Sequence, residues 1–119
     1  MKYKFVLNVG IIGCGRIAGH HCRAISKNKD ISLSAVCDLD ISKAKKYSKI
    51  YNCKAFTNYH EMLEECNEIN AVAIITPSGM HYEHTVDIIK NYKKNVIVEK
   101  PPFLKTSQFN KIKSLLEKN

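Results

Sequence analysis

Arginine is scarce in this 119-residue chain: of 19 basic residues, 17 are Lys and two are Arg. Phosphate-reading surfaces favour the bidentate guanidinium fork. No basic segment is interleaved with aromatics, as a nucleic-acid stacking platform requires. The formal charge of +8 is therefore read as Lys spread over helix surfaces, where it can attract an anionic ligand but does not build a nucleic-acid site. Long apolar runs are also missing. None approaches the roughly 18 residues that span a bilayer, so no membrane partner is expected. Cys-x-x-Cys spacing is absent. Cys14, Cys22, Cys37, Cys53 and Cys66 are odd in number and scattered through apolar segments, which argues against zinc and for reduced thiols in a cytoplasmic protein. There is no low-complexity stretch, linker or internal repeat. One domain, residues 1–119, is expected, long enough to bury a core.

The most informative stretch is Asn8-Val9-Gly10-Ile11-Ile12-Gly13-Cys14-Gly15-Arg16-Ile17-Ala18. Lys2, Lys4 and the Ile-Ile-Gly-Cys run imitate a lipoprotein cleavage site, but Asn8 and Gly10 break the signal core. The same residues serve better as an apolar strand, a glycine turn and the start of a helix. Gly13-x-Gly15-x-x-Ala18 fits the dinucleotide fingerprint in its Ala variant. Gly13 lets the chain turn off the strand, Gly15 lets a pyrophosphate approach the backbone, and Ala18 lets the helix pack close to the sheet. The helix N-terminus then presents free N–H groups and its positive dipole end to phosphate.

Strand and helix patterns alternate along the chain. Strands are expected at residues 5–12, 31–37, 54–56, 71–75 and 96–98, with the third peripheral. Helices are expected at residues 16–27, from a cap at Asp40 or Ser42 to residue 51, at 59–66 and 81–92, and from a cap at Thr106 or Ser107 to residue 118. The first helix should lay Ile17, His21, Ala24 and Ile25 against the sheet, leaving His20 exposed. Asp40 or Ser42 can cap the second helix, and Thr57 or Asn58 the third. The fold class is α/β: a doubly wound, mainly parallel Rossmann sheet of about five strands with helices on both faces.

Three ligand-side features follow from that order, since ligands gather beyond the carboxyl ends of parallel strands at the switch point. Asp38 closes the second strand 20 residues after Ala18, where a carboxylate accepts hydrogen bonds from the adenosine ribose; its alternative role is a helix cap. Leu39-Asp40 offers no Arg for a 2′-phosphate, which favours NAD(H) over NADP(H), although Lys43 is near. Thr76-Pro77-Ser78-Gly79-Met80-His81 follows the fourth strand, with hydroxyls at Thr76 and Ser78. Ser78 can also serve as a helix cap. His81 starts the next helix, and His84 reads as a packing or surface residue; no third ligand accompanies the two histidines, so no metal is expected. Glu99-Lys100-Pro101-Pro102 follows the fifth strand, placing a carboxylate and an ammonium at a ligand-side end. A methyltransferase also uses a glycine turn and an acidic second-strand end, but it usually carries an acidic residue where this chain has Ile12, and it gives Glu99-Lys100-Pro101 no purpose.

Together, Gly-Cys-Gly-Arg-Ile-Ala at 13–18, Val-Cys-Asp at 36–38, Thr-Pro-Ser with His81, and Glu-Lys-Pro at 99–101 resemble the N-terminal domain of the glucose-fructose oxidoreductase / inositol dehydrogenase / rhizopine-catabolism (Gfo/Idh/MocA) family. The resemblance spans essentially the whole chain. It implies that Gly13, Gly15, Arg16 and Ile17 line the pyrophosphate turn and that Asp38 binds the adenosine ribose. It implies that Thr76, Pro77, Ser78 and His81 border the ribose and nicotinamide half, and that Glu99 holds the nicotinamide ribose. Lys100 would be catalytic, binding the substrate hydroxyl and assisting proton transfer while hydride passes to nicotinamide C4. The Thr-Pro-Ser-Gly-x-His form is most similar to members acting on nucleotide-linked amino sugars. Family enzymes carry a second α/β domain with the substrate pocket, a catalytic His and the oligomer interface. Its absence here, with that of a sixth Rossmann strand, leads to the expectation of a fragment, an engineered domain or a truncated gene product that binds NAD, does not turn over a sugar alone, and exposes apolar surface favouring homo-oligomers. A stand-alone NAD(H)-binding module or sensor is the alternative.

Overall fold

The computed structural model describes residues 7–76 and 81–98, with His81 and Val98 as backbone only. Strands and helices alternate through this span. In order they are β1 (Leu7–Ile12), α1 (Ala18–Ser26), β2 (Ile31–Cys37), α2 (Ile41–Tyr51), β3 (Lys54–Phe56), α3 (Tyr59–Glu65), β4 (Ala71–Ile74), α4 (His81–Asp87) and β5 (Asn95–Val98). α4 runs directly into a π-helical turn, Ile88–Tyr92. The five strands form one parallel sheet in the order β3-β2-β1-β4-β5. β1 is central and β3 is an edge. The winding reverses between β3 and β4, so the switch point lies where β1 meets β4.

Alternation along the strands divides the core into two layers. Val9 and Ile11 of β1 and Ala71 and Ala73 of β4 join Ala18 and Cys22 of α1 and Ala44 and Tyr47 of α2. Ile12, Val72 and Ile74 project to the opposite layer with Met62 and Leu63 of α3 and Ile88. This is why β1 and β4 read as continuous apolar runs: a parallel strand covered on both faces has no solvent side. Gly10 belongs to the second layer, where an added Cβ would lie 2.9 Å from the ends of the Met62 and Ile69 side chains. β2 carries one residue more than β1 between Leu33 and Ala35, a bulge that re-registers its carboxyl end.

Short polar side chains fix the helix starts. Asp40 caps α2, accepting from the Ser42 N–H, and Asn58 caps α3, accepting from the His60 and Glu61 N–H groups. α2 ends on Asn52 in the left-handed region at φ 53°.

Two expectations are corrected. α1 begins at Ala18, and its buried residues are Ala18 and Cys22, four apart, with His21 and Ile25 half-buried. Ala24 is exposed, and Ile17, just before the helix, is 51 % exposed. The narrow contact face suits small residues that bring the helix close to the sheet. His20 is exposed. The helix expected at residues 81–92 is α-helical only to Asp87, and its last turn is widened into the π form. The expected start of β1 at residues 5–6 and the helix at residues 106–118 lie outside the described residues.

Candidate dinucleotide site

β1 delivers the chain to Gly13 at φ +101°, a conformation that favours glycine. The turn is also pressed against the end of β4. A Cβ on Gly13 would fall 2.7 Å from the Ile75 carbonyl carbon and 2.9 Å from the Thr76 nitrogen. Backbone bonds hold both neighbours in place: Gly13 N–H donates to the Cys37 carbonyl at 2.7 Å, and Ile75 N–H donates to the Ile12 carbonyl at 2.8 Å. Gly13 thus joins the carboxyl ends of β1, β2 and β4.

Gly15 is the opposite case. It is exposed, and a Cβ there would meet nothing within 4 Å. The backbone at Gly15 therefore borders open space, which is what close approach of a pyrophosphate needs. Arg16 and Ile17 follow, both exposed. Ile17 is the N-cap of α1 and supplies no capping hydrogen bond. The first turn is tight, with Ala18 N–H donating to the Gly15 carbonyl at 3.2 Å.

Asp38 stands half-buried just beyond β2. Its Oδ2 accepts from the Cys14 N–H at 2.8 Å and its Oδ1 from the Asp40 N–H at 2.8 Å. One carboxylate thus ties the glycine turn to the loop after β2. The helix cap is Asp40, so Asp38 is not spent on that role. Hydrogen bonds from Ser42, through both its hydroxyl and its N–H, hold the Asp40 carboxyl below its ordinary range. A second carboxylate therefore remains charged near Asp38.

Cys14, between the two glycines, is buried and its Sγ donates to the Cys37 carbonyl at 3.4 Å. Burial, with the Asp38 charge added, pushes its thiol up to about 12. A thiol this reluctant to ionise is a packing group rather than a nucleophile. All five cysteines are free. Tyr47 was not anticipated as part of the site. Its hydroxyl reaches from α2 to donate to the Gly15 carbonyl at 2.8 Å. The two residues are 32 apart in the chain, and only a helix-face pattern placing Tyr47 inward could have hinted at it.

Of the residues singled out in the sequence, Gly13, Gly15, Arg16 and Ile17 form one turn. Asp38 bonds to that turn, and Thr76 lies against it. Pro77, Ser78, Glu99 and Lys100 lie outside the described residues, as does the side chain of His81, whose backbone opens α4. Among the described residues, no group of three His, Cys, Asp or Glu could hold a metal ion, and no helix is long and apolar enough to cross a membrane.

A doubly wound parallel sheet with an open glycine turn at its switch point and an acid closing β2 defines a dinucleotide-binding domain of Rossmann type. The comparison with known proteins narrows the class. A family model described as an oxidoreductase family with an NAD-binding Rossmann fold, Gfo/Idh/MocA, matches residues 7–119, and the chain belongs to that family. Glucose-6-phosphate 3-dehydrogenase of Bacillus subtilis is 28 % identical over 110 residues, 92 % of this chain and 30 % of the relative. Inositol 2-dehydrogenase of Rhizobium meliloti is 34 % identical over 95 residues, 77 % of this chain and 27 % of the relative. The WlbA dehydrogenase of Bordetella pertussis, solved with NADH and UDP-GlcNAcA, superposes with a TM-score of 0.87 at 23 % identity, covering 95 % of this chain and 34 % of that one. The chain thus spans about a third of the length of the relatives it matches.

Proposed function

We propose that this domain holds NAD(H) for an oxidoreductase acting on a hydroxyl of a sugar, cyclitol or sugar-nucleotide. The observation that carries the cofactor half of this reading is the contrast within one turn: Gly13 is closed in by backbone while Gly15 is open. Gly15, Arg16 and Ile17 receive the pyrophosphate at the start of α1. Asp38 keeps lone pairs beyond those used by Cys14 and Asp40, and these accept the adenosine ribose hydroxyls. Asp38 and the charged Asp40 together repel a 2′-phosphate, which favours NAD(H) over NADP(H).

Thr76, Pro77, Ser78 and His81 are assigned to the ribose and nicotinamide half, and Glu99 to the nicotinamide ribose. Lys100 is assigned to the reacting centre, where its charge favours a developing alkoxide and a desolvated ammonium can exchange a proton. NAD, when bound, supplies the hydride acceptor at nicotinamide C4. Substrate class rests on family membership and on what the relatives act on. A cytoplasmic location accords with the free thiols, and self-association accords with exposed apolar side chains such as Ile50 and Ile97.

A thermal-shift comparison tests the cofactor assignment. NAD⁺ should raise the midpoint more than NADP⁺ does, because a ligand that binds only the folded state stabilises it. Stabilisation by S-adenosylmethionine but not by NAD⁺ would instead support a methyltransferase.

A further inference from the structure

We infer that His84 is a positioning residue for the cofactor site, acting through the hydroxyl of Thr76. This rests on the assignment of Thr76 to the nicotinamide half of the cofactor. Thr76 leaves β4 directly against Gly13 of the glycine turn, its nitrogen 2.9 Å from where a Gly13 Cβ would be. Its Oγ1 and His84 Nδ1 are hydrogen-bonded at 3.1 Å, the direction following the imidazole tautomer. His84 is itself braced from α3. Its ring lies 5.3 Å from that of Tyr59 at an interplanar angle of 56°. Tyr59 is in turn fixed by donating its hydroxyl to Asp87 Oδ2.

Asp87, one turn beyond His84 on α4, also accepts from the Asn91 amide at 2.5 Å. The chain of contacts therefore runs from a carboxylate with two donors, through a pinned tyrosine ring, to the imidazole and then to the threonine hydroxyl beside the glycine turn. A β-hydroxyl on a loop can rotate among three staggered positions. The bond to the imidazole favours one of them, so the hydroxyl presents a set direction to a ligand at the switch point.

Two substitutions at His84 separate positioning from packing. Asn carries its polar atoms on Cγ, as Nδ1 is carried, while Gln moves them one carbon further out. Fluorescence titration with NADH and calorimetric titration with ADP, which carries only the adenosine half, are performed on the wild-type chain, His84→Asn and His84→Gln. Loss of one net hydrogen bond predicts NADH binding weakened about three- to ten-fold in His84→Gln, with ADP binding unchanged. His84→Asn should bind NADH within about two-fold of wild type. NADH affinity unchanged in His84→Gln, or equal losses for NADH and ADP, would overturn the positioning role while leaving the cofactor assignment standing. A wild-type chain that binds ADP but not NADH, or neither, would overturn the cofactor assignment and this inference with it.

Discussion

At Gly13 two costs of substitution coincide: the backbone at φ +101° and a Cβ position 2.7 Å from the Ile75 carbonyl carbon. Gly13→Ala should therefore destabilise the fold by about 2–4 kcal/mol, from backbone strain plus steric displacement. Thermal unfolding checks this, with a midpoint many degrees lower. Gly15→Ala should leave stability within about 0.5 kcal/mol of wild type, since the new methyl meets no protein atom. The same methyl would occupy the approach to the backbone, so NADH affinity should fall although the midpoint holds. A pair of glycines that are alike in sequence thus separates into one closed-in and one open position. That distinction was only half legible beforehand. The motif spacing gave each glycine a reason, but that Gly13 presses on Ile75 and Thr76 depends on β4 lying beside β1, although the two are distant in the chain.

Among the elements, those with strong local chemistry were the most legible. β4 lies where its apolar, β-branched run puts it, ending one residue early, β2 and β3 match their expected bounds, and α2 begins after Asp40, one of its two candidate caps. The inner face of α1 was read only in part: Ala18 meets the sheet as the motif implies and Ile25 packs beside it, but Ala24 is exposed and Cys22 is buried instead. Ile17 is a large apolar residue at helical spacing, but it precedes the helix and remains 51 % exposed, while small Ala18 and Cys22 take the sheet contact. Apolar size is a poor guide where helix and sheet approach closely. Two contacts between elements depend on the tertiary arrangement: Tyr47 of α2 on the Gly15 carbonyl, and Tyr59 of α3 against His84 of α4. Tyr47→Phe should cost about 1 kcal/mol for the lost bond, read as the shift in denaturant midpoint at constant slope. At the other layer, Met62→Ala should cost about 2–5 kcal/mol, because Met62 is fully buried beneath Gly10.

For the whole molecule, the thiols raised by burial contribute to an alkaline limit, alongside Tyr47, Tyr59 and Tyr92, which burial also raises. Burial pushes Cys14 up to about 12 and Cys22, Cys37 and Cys53 up to about 11, from an ordinary 9.0. Well below pH 9.0 these thiols are protonated in folded and unfolded chains alike, and their contribution to stability is intact. As pH rises from 9.0 towards 11–12, the unfolded chain ionises first, so stability falls. Thermal midpoints across that range should decline, and less steeply in Cys22→Ala than in wild type. Equal slopes would remove Cys22 as a contributor.

The same molecule-wide view ties the proposed cofactor site together, since the chain leaving β1, β2 and β4 brings Gly13, Asp38 and Thr76 to one edge of the sheet. The most direct measurement of that arrangement is a paired fluorescence titration of NADH and NADPH on wild type and Asp38→Ala. NADH should bind wild type more tightly than NADPH, and Asp38→Ala should lose both affinity for NADH and the preference. Tighter binding of NADPH by the wild-type chain, or an unchanged NADH preference without Asp38, would contradict the account.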